Sequence, residues 1–194
     1  MQFNKNFFLE TIKTINSIDK KILDKICETI FSLRKNNGRI FFLGIGGSAG
    51  NASHAVNDFR KLLNIECYCP TDNVSEITAR TNDEGFETIF SEYLKISKLS
   101  EKDIIFVFSV GGGNKVKNVS VNLIKAIDYA KKIGSKVLGV VAKHDGYLGL
   151  NGDLVIKLEI ENKNYLTPIS ESLQVLIWHY IVSNPKLMPN PTKW

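Results

Sequence analysis

Short apolar runs of strand length alternate along this chain with longer segments whose apolar residues recur at helical spacing, and this alternation constrains the fold more than any other feature. The runs fall at 39–43, 65–69, 103–109, 136–142 and 154–158. Runs that are apolar from end to end suit strands buried on both faces. Helical periodicity falls at 48–63, 84–97, 115–133 and 168–182, with Pro168 suited to a first helical turn. Ahead of the first run, Phe7, Phe8, Ile12 and Ile15 and then Ile18, Ile22, Ile26, Ile30 and Leu33 predict two helices, broken near 16–19 and stopped at Asn36, Asn37 and Gly38. The tail, 184–194, carries three prolines and is expected to be extended. Strands alternating with helices predict a parallel sheet covered on both faces. In such sheets ligands bind beyond the carboxyl ends of the strands, which points to the loops after Leu43, Ser109 and Ala142.

Bulk properties narrow the class. The 194 residues show no linker, repeat or low-complexity tract, so a single domain over 1–194 is expected. No apolar stretch approaches the roughly 18 residues of a membrane span, and the first residues show no cleavage-site pattern, so the expected location is cytoplasmic. The three cysteines are odd in number and form no C-x-x-C, which supports neither a disulfide framework nor a zinc ribbon. Cys67 and Cys69 read as one face of a buried strand. The net charge of +5 comes from basic residues scattered among 20 acidic ones, so nucleic-acid binding is not expected. The pairs Lys20-Lys21 and Lys131-Lys132 read as solvated helix faces; a mild positive field that draws in a small anion is the second reading.

Four groups of residues carry candidate chemistry. Gly44-Ile45-Gly46-Gly47-Ser48 joins the first strand to its helix, where glycines admit close backbone approach and a helix N-terminus offers N–H groups to an anion. The same stretch serves equally as a tight turn. It also fits a dinucleotide fingerprint, but the second strand ends on Cys69-Pro70 without the acidic residue that fingerprint requires. Ser109-Val110-Gly111-Gly112-Gly113-Asn114 is a second glycine-rich turn after a strand, and two such turns at one end of a sheet suggest a phosphate-sized anion. Lys115 and Lys117 either add charge there or stand in solvent. His54 and Asp58 lie four apart on one helix face, which suits a divalent metal, shared proton work, or a plain surface hydrogen bond. Glu171 and His179, eight apart on the last helix, would meet one small site only by reaching toward each other, or else serve different subunits. Glu171 also suits a first-turn carboxylate, and His179 a side chain packed beside Trp178. His144 reads as a loop histidine.

Taken together, these residues resemble the phosphoheptose isomerases of the sugar isomerase (SIS) domain group. Gly46-Gly47-Ser48, followed by His54 and Asp58, is similar to that family's GGS…H-x-x-x-E stretch. Asn82-Asp83-Glu84-Gly85-Phe86, with Ile89-Phe90-Ser91 and Tyr93-Leu94, resembles its N-D-x-G-F-x-x-I-F-S-x-Y segment. Residues 109–114 resemble its phosphate loop, and Glu171 and His179 match the spacing of its last-helix Q…H pair. The resemblance implies a five-stranded α/β three-layer sandwich of flavodoxin-like or Rossmann-like type, with the N-terminal helices packing on the core and on partner subunits of a homotetramer. It implies conversion of sedoheptulose 7-phosphate to glycero-manno-heptose 7-phosphate for surface polysaccharide synthesis. It also implies one zinc per subunit on His54, Asp58, Glu171 and His179, with Asp58 and His179 as catalytic residues. Substrate contacts are expected from Gly46, Gly47, Ser48, Asn82, Asp83, Ser109, Gly111, Gly112, Gly113, Asn114 and Glu171. The chain departs from the family at Ile45, Asp58, Val110, Gly111, Asn114, Pro168 and Glu171. An isomerase of another phosphosugar, or a non-catalytic regulatory SIS module that binds a sugar phosphate, are the alternatives.

Overall fold

The structure, a computed structural model, describes residues 2–190. Its centre is a five-stranded parallel sheet in the order β2-β1-β3-β4-β5. The strands are β1 (Ile40–Leu43), β2 (Cys67–Tyr68), β3 (Ile104–Phe108), β4 (Lys136–Val141) and β5 (Leu154–Lys157). This is the flavodoxin-like order, and the chain reverses direction across the sheet between β1 and β3. The edge strand β2 pairs over only two residues, shorter than the apolar run at 65–69. Cys67 and Cys69 are buried on one side and Tyr68 faces out, as the alternation predicts.

Helices cover both faces. The first layer holds α1 (Gln2–Ser17), α2 (Lys20–Lys35), α3 (Gly47–Leu63) and α8 (Leu166–Val182). Phe42, Phe106 and Phe108 of the sheet pack there against Ile26 and Ile30 of α2, Phe59 of α3 and Trp178 of α8. The second layer holds α5 (Ile89–Ile96), α6 (Val121–Ile133) and the short α7 (Tyr147–Asn151), against Phe41, Ile105, Val107 and Val137. Helix α2 starts on Asp19, whose carboxylate accepts from the amides of Lys21 and Ile22.

Three expectations are corrected. A helix not foreseen, α4 (Val74–Glu84), precedes the break at Gly85, so the 84–97 segment is a 3₁₀ turn followed by the shorter α5. Helix α4 buries no residue and therefore leaves no apolar period to read. It is held by an Asn73 cap and by Arg80, which pairs with Glu76 and Glu84 one turn to either side. The helix expected from 115 begins at Val121. Residues 114–119 form a small hairpin, with Asn118 and Ser120 in the left-handed region at φ 51°, a conformation a helix interior does not admit. The tail is not wholly extended: it turns at 184–187 and buries Leu187, whose carbonyl accepts from Arg34, while residues 191–194 lie outside the described residues. Helix α1 buries only Thr14 along its length and leaves Phe8, Leu9, Ile12 and Ile15 exposed.

Candidate active site

Both glycine-rich turns lie at the carboxyl end of the sheet, where the strand order reverses. After β1, Gly46 takes φ 62° and ψ −128°, a conformation essentially reserved for glycine. Helix α3 then begins at Gly47 with no side-chain cap, which leaves its first N–H groups facing outward from the turn. Glu171, in the second turn of α8, lays its carboxylate directly over Gly47. A Cβ at position 47 would stand 2.5 Å from Glu171 Oε2, so any larger residue there displaces the carboxylate. Asn51 holds this approach in register, since its Nδ2 donates to the Glu171 carbonyl and to Gln174 Oε1, each at 2.9 Å. Ala52 and Ala55 on α3 are small enough for α8 to come close.

The second turn is partly self-satisfied. Ser109 Oγ accepts the Gly112 amide at 2.9 Å, and the Asn114 amide is taken by Val119 O at 2.9 Å. Two of the four amides expected to cradle an anion are thus used inside the loop. Ser109 keeps its hydroxyl proton to donate. Between the two turns lies a cleft of about 340 Å³, lined among others by Ile45, Ser48, Ser109, Ser120, Lys143 and Glu171.

A second constellation lies further along α3. His54, Asp58 and His179 bring one ligand atom each to within 4.8 Å of one another. Asp58 Oδ2 stands 3.6 Å from His54 Nε2 and 3.3 Å from His179 Nε2. Two donors bound to one tetrahedral zinc at ordinary bond lengths lie ~3.3 Å apart, so the group fits such an ion on spacing and on donor chemistry. The carboxylate is buried, whereas the His54 and His179 side chains are 54% and 46% exposed. Trp178 Nε1 donates to Asp58 Oδ2 at 3.2 Å and Asn57 Nδ2 to Oδ1 at 3.0 Å, which fixes the carboxylate from behind. The Trp178 ring sits 5.2 Å from the His54 ring and 5.0 Å from that of His179, walling one side of the group.

The structure brings three of the four expected metal ligands together. Glu171 stands apart from them, in the cleft, so the two α8 residues serve two places within one chain. Asn82 and Asp83 are exposed near the end of α4, hydrogen-bonded to each other at 2.7 Å, and neither lines the cleft. His144 is a loop residue whose Nε2 meets the Leu158 carbonyl at 3.2 Å. Ser120, Lys143 and Thr167 line the cleft and were not foreseen. Lys143 had a legible signal, since it follows Ala142 in a loop already marked by strand polarity. Ser120 was hidden by the misplaced helix start. No helix among the described residues is long and apolar enough to cross a membrane.

The SIS domain family matches residues 5–142, and this chain belongs to that family. The lincomycin biosynthesis protein LmbN of Streptomyces lincolnensis is 34% identical over 158 residues, which are 78% of this chain and 57% of LmbN, so the chain spans little more than half of that relative. A phosphoheptose isomerase of Helicobacter hepaticus is 27% identical over 182 residues, covering 91% of this chain and 86% of its own. Among solved structures, phosphoheptose isomerase GmhA of Neisseria gonorrhoeae superposes with a TM-score of 0.79 at 22% identity, over 93% of this chain and 96% of its own. That likeness bears out the five-stranded three-layer fold.

Proposed function

We propose that this protein is a sugar-phosphate aldose–ketose isomerase, with sedoheptulose 7-phosphate as the substrate to test first. The observation that carries the reading is the convergence of His179 of α8 with His54 and Asp58 of α3, the helix whose start borders the loop cleft. Relatives named phosphoheptose isomerase across most of the chain support it. His54 lies six residues beyond Ser48, ~9 Å along the helix, which is the scale of an extended sugar phosphate. The anionic end then belongs to the cleft and the reacting carbons to the metal-binding group.

Isomerisation moves a proton between adjacent carbons, with one group to take it and a partner to serve the hydroxyl. Asp58 and His179, 3.3 Å apart, are that pair. His54, Asp58 and His179 would hold a zinc ion, which when bound polarises the carbonyl and stabilises the developing oxyanion. Trp178 keeps Asp58 aimed and excludes water from its buried side. Ser109 holds the phosphate by hydroxyl donation, and Ser48, at the start of α3, meets the sugar. The same reading makes the protein a cytoplasmic homotetramer supplying heptose for surface polysaccharide. The bare apolar stripe of α1, and Leu176 and Tyr180 exposed beside His179, supply the contact surface. Asn82 and Asp83 would then reach the sugar across a subunit boundary.

The test is NMR of the purified protein with sedoheptulose 7-phosphate in deuterated water, metal-stripped and zinc-restored. New aldose signals carrying deuterium at the second carbon, dependent on zinc, are expected. Absence of both turnover and exchange in every sample would overturn the isomerase reading for this sugar.

A further inference from the structure

The residues that line the loop cleft include one lysine, the exposed Lys143, and one glutamate, Glu171, and among the described residues neither charged group has a hydrogen bond or an ion pair. Their surroundings differ. Lys143 is tied to the second glycine-rich turn by its backbone: its amide and that of Ala142 both donate to Val110 O, at 3.0 and 3.1 Å. That turn offers few donors, since Gly112 and Asn114 spend their amides internally and positions 110 and 111 carry no hydroxyl. Glu171 lies over Gly47, at the start of α3. An uncapped helix start would ordinarily attract an anion, but a carboxylate already placed there repels a second negative charge.

We propose that the cleft is charge-polarised: Lys143 seats the anionic end of the ligand beside Ser109 and Ser120, while Glu171 bars that anion from the α3 N-terminus and receives the hydroxyl-bearing part. The inference rests on the sugar-phosphate reading and deepens it by fixing the direction in which the ligand lies. An ammonium brings three donors and a full charge to a loop short of both. A carboxylate accepts from two hydroxyls at once, which suits a polyol and not a phosphate.

The test is direct binding of inorganic phosphate to the full chain by titration calorimetry, with no turnover required. Lys143→Met is expected to weaken binding roughly tenfold and Lys143→Arg to stay within about threefold of the parent, as loss and retention of one charge-assisted contact imply. Glu171→Gln is expected to tighten phosphate binding about threefold by removing the opposing charge. Circular dichroism of each variant confirms that the fold is kept. Unchanged affinity in Lys143→Met, or a parent chain that binds no phosphate, overturns the seat at Lys143. Unchanged or weaker binding in Glu171→Gln overturns the barrier. Turnover of the parent chain is read separately, so a dead isomerase that still shows the Lys143 effect refutes the proposed reaction and leaves the polarised cleft standing.

Discussion

At the amino ends of the strands, Arg39 and Asp103 close the sheet in a dense hydrogen-bonded pair. Asp103 is 3% exposed and accepts from the Arg39 amide, Nε and Nη2 and from the Ser100 amide and hydroxyl, all within 3.2 Å. Nη1 and Nη2 also donate to the carbonyls of Ser97 and Lys98, each at 3.0 Å. At the carboxyl ends the opposite holds: among the described residues the charged groups of Glu171 and Lys143 have no hydrogen bond or ion pair, α3 starts without a side-chain cap, and two histidines crowd one carboxylate. A charge at the first end has its interactions completed inside the protein. Charges at the second are left for something outside it. The difference separates groups that hold the fold from groups that await a ligand, although both ends are built from the same strands.

The comparison breaks most visibly through turnover. Asp58→Asn and His179→Ala are each expected to lower isomerisation by roughly 10²–10⁴-fold, the usual scale of a lost acid–base group, with melting temperature nearly unchanged. A deuterium-exchange assay beside a thermal melt separates the two effects. Asp103→Ala should do the reverse. Removing one partner of a buried, hydrogen-bonded pair costs about 3–5 kcal/mol, so a chemical denaturation curve should shift strongly while activity per folded molecule holds.

Acid sharpens the contrast. Burial alone pushes the Asp103 carboxyl up, but hydrogen bonds from Arg39 and Ser100 outweigh it and hold the group below its ordinary value. A lowered folded value means that this stabilisation is fully present above the unfolded carboxylate value, ~pH 4, and is lost as pH falls through the folded one. Stability measured from pH 6 downward should therefore fall less steeply in Asp103→Asn than in the parent chain. The smallest effect is expected at Trp178→Phe. Loss of the indole donor to Asp58 should weaken zinc binding roughly 10–100-fold in a chelator competition, with the ring's packing largely kept.

Much of the sheet was legible because β1 and β3 are apolar throughout, with Gly44 closing the first run and Pro70 the second. Phe41 and Phe42 face opposite layers, and both are fully buried. The pairing of His54 with Asp58 was legible because four residues on a helix share a face. Helix α4 was not, because nothing on it is buried and its support comes from Arg80 and its two glutamates. The start of α6 was misplaced because Val116 and Val119 continue an apolar rhythm that the left-handed turns at Asn118 and Ser120 interrupt.

The sequence by itself determined the alternation of strand and helix, the two glycine turns at one end of the sheet and the residue types able to bind a metal. These follow from short-range chemistry: periodicity, backbone freedom and the spacing of side chains on one helix. Only the tertiary structure decided that His179 joins Asp58, 121 residues away in sequence, while Glu171 leaves that group for the cleft. That division depends on how closely α8 packs on α3, which the small residues Ala52 and Ala55, the bare Gly47 and the Asn51 bridge set together. Distances between helices follow from packing, and packing is a property of the whole core.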